Sequence, residues 1–358
     1  MRQAVLLGSP EGKRWIYLKR AAEEEKLAIT FVDWRDLEDW RGRLSGEQIF
    51  LKLDPPQWTS CSLRELEGLL DSYLGQLGAL SGMEKEREIE FLNHPSAIGA
   101  VLDKRKCKER LAGAGLPVTE LLGGRDSCDQ ERLTAERLLE LMRSRRVHQV
   151  FIKPVNGSGA AGVTAFRYQP NSGRMALYTC AFMQDDGSFV NTKRLRRFSE
   201  PEEVFPLLDR LFMLDCIVER WYVKAEHQGF SYDLRAVVQD GRLDFLLGRL
   251  SKGPITNLHL NNHPLAASEL GLPGHITDEV HRLCQSSMEC YPGLRSAGID
   301  ILLEKGSLKP RIIEMNAQGD LIYQDIYHEN VIYRHQARMM KAWLERDTAG
   351  QRRGNEEL

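Results

Sequence analysis

The sequence predicts a mixed α/β and α+β protein of two or three lobes, with a parallel sheet first and antiparallel sheets after it. Three observations carry this: a strand–helix–strand opening, β-rich runs joined by turn-forming residues in the second half, and a length of 358 residues, more than one core usually spans. Hydrophobic residues make up 42% and charged residues 28%, the balance of a globular chain with a sizeable core. A net charge of −2 gives no sign of a nucleic-acid partner. The basic run Lys193-Arg194-Leu195-Arg196-Arg197 reads as a solvated face. The seven cysteines show neither CxxC nor Cys/His metal spacing, which reads as reduced thiols in a cytoplasmic protein. No apolar run reaches membrane-spanning length, and residues 4–8 are too few for a signal segment.

Taken in order, residues 4–7 form a short apolar strand ending at Gly8-Ser9-Pro10. Residues 14–26 carry Trp15, Leu18 and Ala22 on one helical stripe, and the β-branched run 29–32 completes a strand–helix–strand unit, hence a parallel sheet. Glycines at 8 and 12 do not make a GxGxxG loop, so no nicotinamide site is expected. The strand 49–53 stops at Asp54-Pro55-Pro56, which puts Asp54 at the C-terminal edge of the sheet. Open α/β sheets bind ligands there, although a plain turn explains the same residues. Trp15, Trp34, Trp40 and Trp58 fit core packing of this lobe. Residues 93–98 lead into a helix carrying Asp103-Lys104-Arg105-Lys106-Cys107-Lys108, a run that reads as a solvated helix face. Gly123-Gly124-Arg125-Asp126-Ser127 reads as a linker or surface loop, and residues 134–144 as a helix.

The next stretch carries chemistry. Lys153 ends a β-rich run, and Asn156-Gly157-Ser158-Gly159-Ala160-Ala161-Gly162 follows it. Small residues let backbone N–H groups approach phosphate oxygens while the lysine supplies a point charge. A flexible hairpin turn with an incidental lysine is the competing reading. The lysine precedes the glycines, so this is not a GxxxxGK[ST] loop. Residues 216–223 form a strand that turns polar halfway, as a chain crossing between lobes would. Residues 230–238 and 243–250 form a hairpin about Asp240-Gly241. Arg235 and Arg249 are internal to its strands, which costs desolvation unless an anion is near.

The last informative stretch is a second hairpin, residues 298–303 and 311–316, about a Gly, Ser and Pro turn. A turn centred near Ser307 sets Asp300 opposite Glu314, with Glu314 and Asn316 on one face. Two facing carboxylates about 5 Å apart repel by roughly 3 kcal/mol at an effective dielectric of about 20, so a cation is expected between them. An all-oxygen set suits Mg²⁺. Two solvated acids on an ordinary hairpin remain the alternative.

The order of these parts resembles the ATP-grasp ligases over residues of about 93 to 325. The resemblance lies in Asp103-Lys104, Ile152-Lys153-Pro154 with its small-residue loop, Val218-Glu219-Arg220-Trp221, Asp233-Leu234-Arg235, Thr256-Asn257-Leu258-His259, Gly298-Ile299-Asp300 and Glu314-Met315-Asn316. It is nearest the prokaryotic glutathione synthetases and ribosomal-protein glutamate ligases, which Leu53-Asp54-Pro55-Pro56 and Asn93-His94-Pro95-Ser96 also resemble.

The resemblance implies an N-terminal Rossmann-like α/β domain (1–92), a linker helix and central lid (93–217), a C-terminal antiparallel-sheet domain (218–346) and a polar, frayed tail (347–358). It implies that Lys104 and Lys153 hold the α- and β-phosphates of ATP, and that a loop with Gly157, Ser158, Gly159 and Gly162 closes over them. Glu219, Arg220 and Tyr222 would line the adenine, and Glu226 would take the ribose. Asp300, Glu314 and Asn316 would hold Mg²⁺, and Arg235, Arg249 and Asn257 would face the transferred phosphoryl group. The implied activity is ligation of a small-molecule or peptide carboxylate to an amine through an acylphosphate, with no nucleic-acid or membrane partner and with a homo-oligomer allowed. A nucleotide-binding module without turnover, or a phosphotransferase that stops at the acylphosphate, stays open beside it. Two departures, Ala317-Gln318-Gly319-Asp320 for the usual Ser-Pro-Gly and Asn261-Asn262 for a glycine pair, border the substrate side. Glutathione synthesis itself is therefore not expected.

Overall fold

The computed structural model describes residues 2–37, 44, 46–58, 60–85, 88–124, 132–157, 160–260, 262–318 and 329–346. Trp40, Arg125-Asp126-Ser127, Ser158, Gly159, Asn261, Gly319-Asp320 and the tail lie outside the described residues, and so do the expectations placed on them.

The first sheet is built from β1 (Arg2–Gly8), β2 (Ile29–Asp33), β3 (Gln48–Leu53) and β4 (Glu88–Phe91), in the order β2-β1-β3-β4 and all parallel. Alternation along the strands sends Val5, Leu7, Ile49 and Leu51 to one face and Ala4, Leu6 and Phe50 to the other. Helix α1 (Lys13–Glu24) covers the second face, as its apolar stripe predicts. Helix α2 (Leu63–Gly82), which the sequence reading did not place, covers the first face through Leu70, Tyr73, Leu77 and Leu80. Trp34 is buried at an edge-to-face contact with Tyr73, in keeping with a core role. Asp54 follows β3 directly, at the C-terminal edge of the sheet.

The expected single helix after residue 93 is two. Helix α3 (Pro95–Leu102) has proline at its start, and Asp103 breaks the path in an extended conformation. Asp103 then caps α4 (Lys104–Gly113), accepting from the Lys106 N–H at 3.0 Å.

The central sheet takes β5 (Leu121–Gly124), β6 (Gln149–Pro154), β7 (Thr164–Tyr168), β8 (Met175–Met183), β9 (Phe189–Phe198) and β10 (Cys216–Arg220), in the order β5-β10-β6-β7-β8-β9. Gly123 and Gly124 pair with β10, so they belong to a strand and not to a linker. Helices α5 (Ala135–Ser144), capped by Thr134, and α6 (Pro201–Leu211) complete a core of the central lobe's own, around Leu138, Ile152, Phe166 and Leu208.

The third sheet has β11 (Glu226–His227), β12 (Phe230–Gln239), β13 (Arg242–Ser251), β14 (His263–Ala266), β15 (Ser296–Leu303) and β16 (Pro310–Asn316), in the order β14-β13-β12-β15-β16 with β11 beside β12. The β12–β13 turn puts Asp240 and Gly241 at φ of 44° and 74°, the backbone an Asp-Gly hairpin turn needs. Helix α7 (Gly274–Glu289) packs on one face of this sheet. Helix α8 (Val331–Glu345) bridges it to the first sheet through Tyr333, Met340 and Trp343. The first and third lobes thus share one core, while the central lobe has another, which Leu63 of α2 joins.

Candidate active site

The central and third sheets face each other across a cleft open to solvent. Its lysine side is a fixed cluster. Lys153, buried at the end of β6, lies 3.0 Å from Oε2 of Glu219 on β10. Glu219 also accepts from the Thr119 hydroxyl at 2.8 Å and lies 3.2 Å from Nζ of Lys108. Lys108 in turn donates to Thr119 Oγ1 at 2.6 Å and to the Ile313 carbonyl at 3.0 Å. Burial pushes Glu219 up, but Lys108 and Lys153 overcome it and hold the carboxyl below its usual range. Burial pulls Lys153 down, yet Glu219 and Glu314 outweigh it and leave it raised. Lys104 and Lys108, four residues apart on one face of α4, both stay lowered because burial dominates. The 103–108 run is therefore half an inward face and not a solvated one. Arg105 pairs with Asp215 at 2.7 Å, and Lys106 alone of its basic residues is exposed. Lys104 Nζ reaches the carbonyls of Val155 and Gly157 at the mouth of the small-residue loop.

The carboxylate side follows from strand register. Asp300 on β15 pairs directly with Glu314 on β16, and Gly298 with Asn316, as the hairpin argument requires. A bulge between Asp300 and Ile301 leaves Ile313 as the extra residue. Its carbonyl is the one Lys108 holds. Arg235 on β12 lies opposite Asp300, and Arg249 on β13 opposite Asp233. The strand arginines thus find their anions within the sheet. Arg249 Nε meets Asp233 Oδ1 at 2.7 Å, and its Nη2 meets Asp300 Oδ2 at 3.1 Å. Lys224 bridges Asp233 at 3.0 Å and the Thr256 hydroxyl at 2.6 Å, which itself donates to Asp233.

Burial pushes Glu314 up, but Lys104, Lys153, Arg235 and Arg249 pull it down to about 2. Asp300 goes the other way, because its burial exceeds the pull of the two arginines and Glu314 adds repulsion. Arg235 Nε approaches Asp300 Oδ1 to 2.9 Å at an angle that pairs the charges without a hydrogen bond. Buried Asp300 Oδ1, Arg235 Nη1 and Asn316 Nδ2 are left without hydrogen-bond partners among the described residues. Orphaned polar atoms of both signs at one spot suit a ligand that brings cation and anion together. The described residues hold no group of three His, Cys, Asp or Glu side chains placed for a metal. Two carboxylates and an amide match Mg²⁺, which completes its shell with water and phosphate.

The structure brings most of the predicted residues together. Lys104, Lys153, Gly157, Glu219, Arg220 and Tyr222 line the cleft from the lid side, and Arg249, Asn257, Asp300 and Glu314 line it from the third sheet. Arg235 and Asn316 line a wider cleft, continuous with this one, that reaches the first lobe. Gly162 closes the loop at φ +69°, where a Cβ would lie 2.7 Å from Pro154 Cγ. Arg220 is held by Glu120 at 2.6 Å. Glu226 departs from expectation: it sits exposed on β11, paired with Lys305 at 2.7 Å, and does not line the cleft. Sequence reasoning missed Lys108, Thr119 and Lys224. The four-residue spacing of Lys104 and Lys108 was the signal for the first of these. In the wider cleft, Gln318 accepts from the Tyr73 hydroxyl at 2.7 Å and donates to the Leu53 carbonyl at 2.9 Å. Asn262 holds the 255–257 loop through the carbonyls of Ile255 and Asn257.

No family model and no curated protein matches the chain. Solved structures do, at low identity. A Chryseobacterium gregarium RiPP-associated ATP-grasp ligase, in complex with ADP and a leader and core peptide, is 12% identical with a TM-score of 0.60 over 95% of this chain and 96% of that one. The ATP-grasp ligase PsnB, complexed with minimal precursor, Mg and ADP, is 16% identical with a TM-score of 0.57 over 95% and 97%. A D-alanine–D-alanine ligase from Bacillus anthracis, complexed with ATP, is 16% identical with a TM-score of 0.53 over 95% of each chain. The chain has the ATP-grasp fold, with a parallel N-terminal sheet followed by central and C-terminal antiparallel sheets. No helix among the described residues is long and apolar enough to cross a membrane.

Proposed function

We propose that the protein is an ATP-dependent ligase that joins a carboxylate to an amine or other nucleophile, releasing ADP and phosphate, on a peptide or amino-acid-derived substrate. One observation carries the reading: two lysines, two arginines and a facing carboxylate pair converge on a single cleft between two antiparallel sheets. The motif order resembles glutathione synthetases and ribosomal-protein glutamate ligases, while the structural likeness extends to precursor-peptide and D-alanine ligases. Peptides or amino acids are common to all of these. The described cysteines are free thiols, which supports a reducing, cytoplasmic setting. We divide the chain into an N-terminal domain, a lid and a C-terminal domain; three separate sheets support this division, and β10 crosses the 217/218 boundary as part of the central sheet.

Asp300, Glu314 and Asn316 would hold Mg²⁺, which supplies charge neutralisation on the phosphates when bound. Lys153 and Lys104 hold the phosphate oxygens, with Lys153 kept protonated and aimed by Glu219. The loop ending at Gly162 covers the phosphates and excludes water. Tyr222 and Glu219 line the base. Arg235 and Arg249, set in the sheet by Asp300 and Asp233, face the γ-phosphoryl group. A substrate carboxylate oxygen attacks that phosphorus as its bond to the bridging oxygen breaks, giving an acylphosphate and ADP. The amine then attacks the acyl carbon, loses a proton and expels phosphate. No protein nucleophile is needed, since catalysis here is positioning and charge stabilisation.

ADP release from Mg-ATP across a panel of carboxylates, with hydroxylamine to trap the acylphosphate as a hydroxamate, tests the reading. The expected result is ADP and hydroxamate in step for at least one acid. ATP binding with no ADP from any acid and amine pair would identify a binding module instead.

A further inference from the structure

We propose that the edge strand β9 of the lid is a docking strip for an acidic peptide segment, which it delivers to the phosphoryl-transfer cleft. Pairing between β8 and β9 is interrupted: Thr179 faces Arg196 and Ala181 faces Asn191, so residues 192–195 bulge from the sheet opposite Cys180 alone. Bulges of this size at a sheet edge re-aim side chains. The bulge and its C-terminal side carry Lys193, Arg194, Arg196 and Arg197. Lys193, Arg194 and Arg197 are exposed, and Arg196 lies over the Phe182 ring at 3.5 Å. None of the four has a carboxylate within ion-pair distance among the described residues, whereas Arg235, Arg249 and Arg295 are all paired. Four unpaired cations within five residues, in a protein of net charge −2, form a local positive field that attracts anions.

Position turns that field into a docking site. Asn191, Thr192 and Lys193 line the same wide cleft as Arg235, Asn257, Glu314 and Asn316. The first lobe covers the outer edge of β9 at Val190 and Asn191, through Ser62 and Cys61. Beyond Asn191 no strand of the described residues pairs with it. The arginines along this edge offer carboxylate forks, a recurring mode of recognition of acidic segments. Basic residues also guard edge strands against aggregation. That role needs neither a four-residue bulge nor a place on a cleft wall. No aromatic side chain interleaves the cations between Lys193 and Arg197, so the stacking platform of a single-stranded nucleic-acid site is missing.

This inference deepens the ligase reading and rests on it for what becomes of the bound carboxylates, but not for the binding itself. Fluorescence anisotropy of the full chain with fluorescein-labelled octaglutamate tests it, beside labelled octalysine and an oligothymidylate of equal charge. Octaglutamate should bind, octalysine should not, and affinity should fall about tenfold in K193S/R194S/R197S, whose exposed sites leave the fold intact as checked by circular dichroism. Binding to the wild type should also weaken steadily with added salt. Unchanged affinity in the triple variant, salt-independent binding, or an oligothymidylate that binds as tightly overturns the proposal. ADP release with free amino acids but no octaglutamate binding overturns the docking strip and leaves the ligase. Octaglutamate binding without ADP from any acid does the reverse.

Discussion

Replacing Glu219 by Gln tests how the buried lysines of the cleft are held. Glu219 lies between Lys153 at 3.0 Å and Lys108 at 3.2 Å, all three buried. Each contact has a gross attraction of about 5 kcal/mol at an effective dielectric of about 20. Desolvation cancels much of that in the intact cluster, but removing one partner leaves two buried cations facing each other, at a cost of about 3–5 kcal/mol. Glutamine keeps the shape and the Thr119 contact, so little of this loss is packing. Urea unfolding followed by tryptophan fluorescence at neutral pH should show it directly.

The pH dependence supplies the sign. In the wild type, Glu219 is held below its ordinary value of 4.5. Its contribution is present above that value and is lost as pH falls through the lowered one. Lys153 is held above 10.5, so its contribution is full below that value and is lost as pH rises through the raised one. In the variant the two lysines, buried without their anion, have lowered values. The unfolded chain then binds more protons on the way up to about 10.4, and stability rises with pH. The deficit should therefore narrow at alkaline pH. A loss under about 1 kcal/mol that is flat with pH would refute the reasoning, because it would make Glu219 a solvated acid.

Three further outcomes follow from the same geometry. Lys108→Met frees Thr119, the Ile313 carbonyl and Glu219 together and should weaken Mg-ATP binding about tenfold by calorimetry; unchanged binding would show that this tie between α4 and β16 does not position the site. Gly162→Ala puts a Cβ 2.7 Å from Pro154 at φ +69° and should cost about 1–3 kcal/mol in thermal or urea melts, and an unaffected melt would contradict the loop geometry. Glu226→Ala should change ATP affinity by less than about twofold, since the carboxylate is exposed and held by Lys305; a tenfold loss would restore the ribose role that the motif resemblance implies.

The hairpin register was legible because a short turn fixes it: Gly, Ser and Pro between two β-branched runs place Asp300 against Glu314 without tertiary information. The opening parallel sheet and the Asp240-Gly241 turn were legible for the same local reason. The bulge at Ile313 was not, because the carbonyl it presents meets Lys108, a contact 205 residues apart in the chain. Nor was the inward face of α4. Lysines and arginines in a row look solvated until a buried glutamate 111 residues away from Lys108 supplies the anion, and Glu219 reads as an ordinary strand acid until α4 is packed against it. Glu226 shows the reverse case, where motif spacing put an acid near a nucleotide and a two-residue strand turned it to solvent.

The central claim is that Asp300, Glu314 and Asn316 make one face of a Mg-ATP site whose other face is Lys104 and Lys153. Calorimetric titration of ATP into the full chain, with magnesium and with a chelator, tests this most directly when wild type and Glu314→Gln are run side by side. The account predicts that magnesium tightens ATP binding to the wild type at least about tenfold and that the variant keeps the weaker, metal-independent affinity while losing that increment. Equal affinity with and without magnesium in the wild type, or an undiminished magnesium effect in the variant, would contradict it.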